Sequence, residues 1–128
     1  MNKLRLIILI MLLSITYGCK AQSQLQISNY NTEIIGTWVS NEDFSYKRVF
    51  TSNGICNDYS EEELVSTYTY NISTSCEEEN TLGFIYLNLI DEDNDKYCFE
   101  INAINENNSN VLSLTGLMRG KIQLYTKQ

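Results

Sequence analysis

The chain of 128 residues carries its potential chemistry on four cysteines and 16 acidic side chains, because it contains no histidine. The lack of histidine removes Ser-His and Cys-His nucleophile pairs, histidine-ligated zinc and axial haem histidines. No phosphate-binding loop or metal-ligand spacing stands out, so we expect neither an enzyme nor a cofactor, although a glycosidase-type pair of carboxylates remains an alternative. The formal net charge of -7 argues against nucleic-acid binding, which needs a basic surface.

The N-terminus has the pattern of a secretion signal. Lys3 and Arg5 precede the unbroken apolar run Leu6–Leu13. Even when it is extended to residues 4–15, the apolar stretch is about twelve residues long, well short of the roughly 20 that a bilayer-spanning helix needs. We therefore predict a signal peptide over residues 1–18 and export of the remaining chain.

Gly18 and Cys19 resemble the bacterial lipobox, in which the cysteine is diacylated and becomes the first residue of the mature protein. Thr16 and Tyr17 depart from the usual lipobox residues. The alternative is secretory cleavage after Ala21, which would release a soluble protein. The resemblance implies a lipoprotein of the cell envelope, in the periplasm or on the outer membrane, that is held to a membrane by two acyl chains on Cys19.

The mature chain divides into a polar segment and an all-β domain. Residues 19–33 are rich in Gln, Ser and Asn and predict a flexible tether, and residues 34–128 form the domain. No window outside the signal sustains helical periodicity. Asn53-Gly54 predicts a two-residue type I′ turn. Strands are expected at about 34–40, 46–52, 55–60, 64–73, 82–90, 96–104, 111–115 and 121–127.

Short connections between these strands favour an antiparallel up-and-down meander, and eight such strands close most naturally into a barrel. Alternate loops then share one end, which brings together the loops at 40–45, 60–63, 91–95 and 116–120. Nine of the 16 acids would lie at this end: Glu42, Asp43, Glu61, Glu62, Glu63, Asp91, Glu92, Asp93 and Asp95. Such a rim could bind calcium or a cationic partner, and simple solvation of the loops is the alternative.

Three short motifs resemble the lipocalins. Gly36-Thr37-Trp38 looks like the lipocalin Gly-x-Trp signature at the head of the first strand. Residues 48–54 resemble a Phe-x-x-Asn-Gly turn of small lipocalin-like domains in bacterial lipoproteins, and residues 124–127 are similar to the last strand of that family.

The resemblance implies an eight-stranded lipocalin-like barrel whose closed end is plugged by Trp38. Lipocalins place an arginine near the last strand over this tryptophan. Here Arg119, the only late arginine, belongs to a predicted turn, so Lys127 is the nearer candidate.

Alternation with a period of two residues selects the side chains that would line a ligand cavity. They are Trp38, Arg48, Phe50, Tyr68, Tyr70, Tyr97 and Phe99, with Leu112, Leu114, Ile122 and Leu124 facing inward on the last two strands. Arg48 would meet a carboxylate such as Glu100 or the acidic head of a ligand. Alternatively Val49 faces inward and Arg48 is exposed.

Export places the cysteines in an oxidising compartment, and Cys56, Cys76 and Cys98 remain once Cys19 is used. An odd number leaves at least one thiol free or paired between molecules. The predicted strand order places Cys56 and Cys76 at the same end of the barrel, so we predict a Cys56–Cys76 disulfide. Cys76 with Cys98 is the alternative.

These features predict an exported, lipid-anchored, monomeric lipocalin-like protein that binds a small hydrophobic ligand. The alternative is a non-enzymatic protein-interaction module with a filled barrel, whose acidic rim engages a basic partner or a cation. A cavity of roughly 300 Å³ or more would favour the first hypothesis, and an interior filled by side chains would favour the second.

Overall fold

A computed structural model describes residues 21–77 and 83–128 of the chain. These ranges contain a helical segment over residues 21–33, a short 3-10 helix at Glu106–Asn108 and eight strands. The strands are β1 (Gly36–Ser40), β2 (Tyr46–Phe50), β3 (Ile55–Ser60), β4 (Glu63–Ser73), β5 (Tyr86–Ile90), β6 (Lys96–Ile104), β7 (Val111–Gly116) and β8 (Ile122–Lys127).

Each strand pairs antiparallel with the next, and β8 pairs with β1, so the strands form a closed up-and-down barrel. The predicted all-β class and the eight-stranded meander are thereby confirmed. The interior is apolar because alternate residues point inward: Leu112 and Leu114 on β7 and Leu87 and Leu89 on β5 are almost completely buried. No helix in the described ranges is both long and apolar enough to cross a bilayer.

The segment before the barrel differs from its prediction. Residues 21–33 are helical, so the expectation of an irregular tether without helical periodicity is wrong for these residues. Ile27, Tyr30 and Ile34 are spaced so that they share one face, and they pack against the barrel core at the end where β1 begins. Three apolar positions in a run of Gln, Ser and Asn give a weak sequence signal, and packing against the barrel supplies the stabilisation that the local sequence lacks.

The two-residue turn lies at a different place from the predicted one. Asn53-Gly54 is not a type I′ turn, because Gly54 has a positive φ of 82° and Asn53 does not. Glu61 (50°) and Glu62 (67°) both have positive φ and form a two-residue turn, since the register of β3 with β4 leaves only these two residues between the strands. A two-residue hairpin must follow the right-handed twist of its strands, and this requirement overrides the preference of glutamate for negative φ.

Candidate functional site

The loops 41–45, 61–62, 91–95 and 117–121 lie together at one end of the barrel, as the meander predicts. We call this the acidic end, because the nine acids named above belong to these loops or the strand residues beside them. The opposite end is closed by the helical segment, and we call it the closed end.

The seven residues predicted to line a cavity occupy inward strand positions. Trp38, Arg48 and Phe50 are buried, whereas Tyr68, Tyr70 and Phe99 are half-buried against the core. Tyr97 is 41% exposed at the acidic end and contacts the ring of Tyr68, with 5.8 Å between the ring centroids.

On the last strand the predicted inward residues are wrong. Ile122 and Leu124 are 57% and 42% exposed, while Tyr125 is buried. Leu112 on β7 lies opposite Tyr125, and this register turns Leu124 outward. A shift of one residue moves every side chain of a strand to the other face, and the local alternation of Ile122 and Leu124 favours the face that the structure turns outward.

A buried ion pair occupies the barrel interior. Arg48 lies opposite Asp58 in the β2–β3 ladder, and its Nε and Nη2 each donate to a carboxylate oxygen of Asp58 at 2.7 Å. The prediction that Arg48 faces inward toward a carboxylate is confirmed, but the partner is Asp58 rather than Glu100. Glu100 lies opposite Thr115 and Tyr86, far along the barrel wall from β2.

The turn type explains why this partner was missed. A two-residue turn at Asn53-Gly54 would place Arg48 opposite Tyr59. The observed loop is one residue longer, because Phe50 pairs with Cys56, and it therefore places Arg48 opposite Asp58. A shift of one residue in the pairing of β2 with β3 therefore decides whether the buried guanidinium of Arg48 lies opposite a carboxylate.

Aromatic groups surround the ion pair. Tyr46 donates its hydroxyl hydrogen to Asp58, and Nη2 of Arg48 donates to the Tyr46 hydroxyl oxygen at 3.3 Å. Cζ of Arg48 lies 5.6 Å from the ring centroid of Phe99 and 5.8 Å from that of Tyr125. These contacts fill the space around the guanidinium with rings that also attract its charge.

The protonation states of this cluster are fixed by its surroundings. Burial lowers the pKa of Arg48, but hydrogen bonds and charge from Asp58 outweigh it and raise the pKa well above its ordinary value. Burial raises the pKa of the Tyr46 and Tyr125 hydroxyls. The guanidinium of Arg48 is thus charged and both tyrosine hydroxyls are neutral at physiological pH. One guanidinium nitrogen, Nη1 of Arg48, is buried and has no hydrogen-bond partner among residues 21–77 and 83–128.

The closed end is built around Trp38. The indole Nε1 donates to the carbonyl oxygen of Ile34 at 2.7 Å, which fixes the end of the helical segment to β1. Nζ of Lys127 lies 5.1 Å from the Trp38 ring centroid and donates to the carbonyl oxygen of Glu33 at 2.9 Å. Lys127 therefore takes the position over the tryptophan that was predicted for it. Gly36 has a φ of 134°, a backbone conformation that L side chains rarely adopt, and a Cβ there would come within 2.9 Å of Cε of Lys127, so a substitution would be strained and would displace the lysine.

The disulfide is Cys76–Cys98, with 5.9 Å between the Cα atoms, and Cys56 is free, so the predicted Cys56–Cys76 pair is wrong. Cys56 points into the barrel, whereas Cys98 lies opposite Asn88 on the outer face. The chain after β4 runs over this outer face, where Nδ2 of Asn88 donates to the carbonyl oxygen of Ser75 at 3.3 Å. A cysteine inside the sheet cannot reach one that lies outside it.

The buried thiol of Cys56 is not a nucleophile. Its Sγ lies 4.0 Å from Oδ1 of Asp58, and burial raises its pKa to about 12. Because the reactive species is the thiolate, this cysteine stays inert at neutral pH.

At the acidic end, one carboxylate accepts hydrogen bonds from its own loop and from the next strand. The carboxylate of Asp91 accepts hydrogen bonds from the amides of Asp93 and Asp95, both at 2.9 Å, and from the Tyr97 hydroxyl at 3.1 Å. Within residues 21–77 and 83–128, no group of three cysteine or carboxylate side chains is arranged to hold a metal ion. A recess of about 330 Å³ separates residues 64–67 of β4 from residues 91–93.

The geometry defines a class of fold, an eight-stranded antiparallel barrel, which is consistent with a lipocalin-like fold. No protein-family model matches the chain, and neither a curated protein nor a solved structure matches it. Cys19 and the predicted signal peptide lie outside the residues that the structure describes.

Proposed function

We propose that this protein is an exported, non-enzymatic interaction module that engages a basic partner with the acidic end of its barrel. The observation that carries the proposal is the concentration of acidic residues at one end of a barrel whose interior holds a buried ion pair packed against aromatic rings. This end carries nine acidic residues and only four basic residues. The basic residues are Lys47, Lys96, Arg119 and Lys121.

The interior gives less support to a deeply bound ligand. The guanidinium of Arg48 already has Asp58 as its carboxylate partner, so an acidic head group is not needed to neutralise it. The surrounding rings of Phe99 and Tyr125 occupy the adjacent space. A barrel filled by its own side chains presents its specificity on its rim and outer surface.

Two of the acidic side chains at this end form ion pairs with lysines, and others have no basic partner among the described residues. Lys121 donates to Glu42 at 2.9 Å and Lys47 pairs with Glu62, both pairs being solvent-exposed on at least one side. Glu92 and Asp93 form no ion pair within the described residues and are exposed. Clustered carboxylates of this kind raise the local concentration of cations and steer a basic partner toward the surface.

Binding of a short lysine oligomer, followed by fluorescence anisotropy at low and high salt, tests the proposal. We expect the double variant Glu92→Gln/Asp93→Asn to bind about fivefold more weakly, since each exposed pair contributes up to about 1 kcal/mol. The matched control is Glu77→Gln/Glu106→Gln, which removes the same charge away from the acidic end and should bind normally. Equal weakening in both variants would show that only net charge matters and would overturn the proposal.

A small apolar ligand is the second candidate function, and it is favoured by the partly exposed inner aromatics at the acidic end. Tyr68, Tyr97 and Phe99 face the barrel axis and remain accessible to solvent. Saturable binding of a fluorescent fatty acid that Tyr97→Ala abolishes would support this function. Tyr59→Ala, on the outer face of β3, is the matched control, and equal binding by both variants would contradict a ligand at the barrel mouth.

Membrane attachment through Cys19 is part of the proposal and rests on the lipobox resemblance. We expect metabolic labelling with a radioactive fatty acid to tag the wild type and not Cys19→Ser. A mature protein that starts at an unmodified Gln22 by mass spectrometry would instead indicate a soluble exported form. We further expect the barrel to be monomeric.

A further inference from the structure

The barrel wall is incomplete beside the first half of β4. β4 runs over Glu63–Ser73, but β5 pairs with it only along residues 69–73. Its other edge is covered by β3 along residues 63–69. Within the part of the chain that the structure describes, residues 64–68 therefore have no strand on the β5 side. We call this stretch the free edge.

The backbone of the free edge presents hydrogen-bonding groups to this vacant side. The amide of Tyr70 donates to the carbonyl oxygen of Gly54, on the β3 side, at 2.9 Å. Successive residues of a strand direct their amides to opposite edges, so Thr69 and Thr67 direct theirs toward β5. Thr69 meets Ile90 there, whereas Thr67 extends beyond the last residue of β5. An unpaired edge is a template for an added strand.

The surface beside the free edge has room and apolar contact for an added strand. Leu64 and Val65 are 56% and 52% exposed. The recess of about 330 Å³ follows residues 64–67 and is bounded on its far side by the loop 91–93. At about 3.4 Å per residue, the free edge would accommodate roughly five residues of an extended peptide.

We propose that the free edge binds an extended basic segment of a partner protein by strand addition, which specifies how the acidic end engages its partner and so rests on the proposed function. The negative charge around the recess favours a basic peptide as its occupant. Glu63 directly precedes the lining residue Leu64 in the chain, and Asp91, Glu92 and Asp93 line the recess opposite β4. A second copy of this chain carries the same acids and a net charge of -7, so it is repelled.

The test uses a fluorescent peptide of alternating lysine and valine and two variants at one position. Thr67→Pro removes the amide hydrogen that faces the vacant side, and proline is tolerated at an unpaired strand edge. We expect its affinity for the peptide to fall about tenfold or more, because a ladder bond is lost and the ring blocks close approach. Thr67→Ala loses the side-chain bond to Asn57 but keeps the amide, and it should bind within about twofold of the wild type.

A second measurement does not depend on how well a variant folds. The unaltered protein is titrated with the same peptide carrying N-methyl groups on alternate amides, in each of the two registers. Strand addition requires that one register binds like the unmodified peptide and the other loses affinity, because only one edge of the peptide contacts β4. Equal affinity in both registers would overturn strand addition.

The failure of this inference is distinguishable from failure of the proposed function. If Thr67→Pro binds the peptide normally while Glu92→Gln/Asp93→Asn binds weakly, the acidic end engages basic partners without adding a strand. If neither the peptide nor the lysine oligomer binds the wild type, both proposals are wrong. Concentration-dependent dimers that exclude the peptide, detected by sedimentation, would assign the free edge to a second copy and overturn the inference.

Discussion

At the closed end Ile34 and Trp38 are completely buried beneath the helical segment, whereas at the acidic end Phe44 and Met118 are 81% and 96% exposed. The closed end combines apolar burial with hydrogen bonds that fix the helical segment to the barrel. The acidic end holds a row of like charges, which repel one another and contribute little to folding. Stability is therefore concentrated at one end, and the proposed function assigns the other end, with its charge and unpaired strand edge, to a partner.

The largest effect is expected in the core between the two ends. Arg48→Leu leaves the carboxylate of Asp58 buried without its partner, and we expect a loss of about 3–5 kcal/mol in the free energy of unfolding by urea. The double variant Arg48→Leu/Asp58→Leu removes both charges and should recover most of that loss. A double variant as unstable as the single one would mean that the ion pair itself, rather than an uncompensated charge, stabilises the barrel.

Ile34→Ala compares the closed end with the acidic end directly. The side chain is completely buried, so its truncation leaves a cavity and should lower stability by about 2–4 kcal/mol. Phe44→Ala, at an exposed position of the acidic end, is the control and should change stability by less than about 0.5 kcal/mol. Similar losses in both variants, measured by thermal and urea unfolding, would remove the contrast between the two ends.

The pH dependence of stability reports on the buried thiol near the ion pair. Burial raises the pKa of Cys56 from 9.0 to about 12, so the folded state holds its proton where the unfolded state has lost it. Stability from this group is complete below pH 9 and falls as the pH rises toward 12, by at most about 1.4 kcal/mol per pH unit. Cys56→Ala should show a shallower alkaline decline than the wild type, and an unchanged slope would contradict the assignment.

The smallest predicted effect concerns lysines at the two ends. Lys127→Met removes the ammonium group over Trp38 and its hydrogen bond to Glu33, and should lower stability by about 1 kcal/mol. Lys121→Met breaks only an exposed pair with Glu42 and should change stability by a few tenths of that amount. Urea unfolding followed by Trp38 fluorescence distinguishes the two, and a larger loss in Lys121→Met would reverse the comparison.

Several features of the barrel followed from local sequence. Alternation on β2 placed Arg48 and Phe50 inward, and short connections gave the order of the eight strands. The same alternation also bears on the disulfide. Tyr97 and Phe99 are predicted to face inward, so Cys98 between them must face outward. The prediction of a Cys56–Cys76 disulfide used only the end of the barrel at which each cysteine lies, and not the face of the sheet on which it lies.

Other features depended on register, which the local pattern does not specify. In β8, IQLYTK, the local alternation favours Ile122 and Leu124 as inward residues, but the pairing with β7 places Tyr125 rather than Leu124 inside. The partner of Arg48 depended on one residue in the loop that follows Phe50. The helical segment was missed because its stabilisation comes from the barrel it covers and not from its own residues.

By itself, the sequence determined the all-β class, the meander and the gathering of acids at one end, because these depend on periodicity and on the length of connections. Tertiary structure alone decided the Arg48–Asp58 pair, the covering helix and the free edge of β4. The ion pair and the free edge depend on which residues of separate strands come to lie opposite one another, and the helix depends on the barrel surface that it covers. Closure of the barrel fixes that registration through the packing of the whole interior, and no short stretch of the chain contains it.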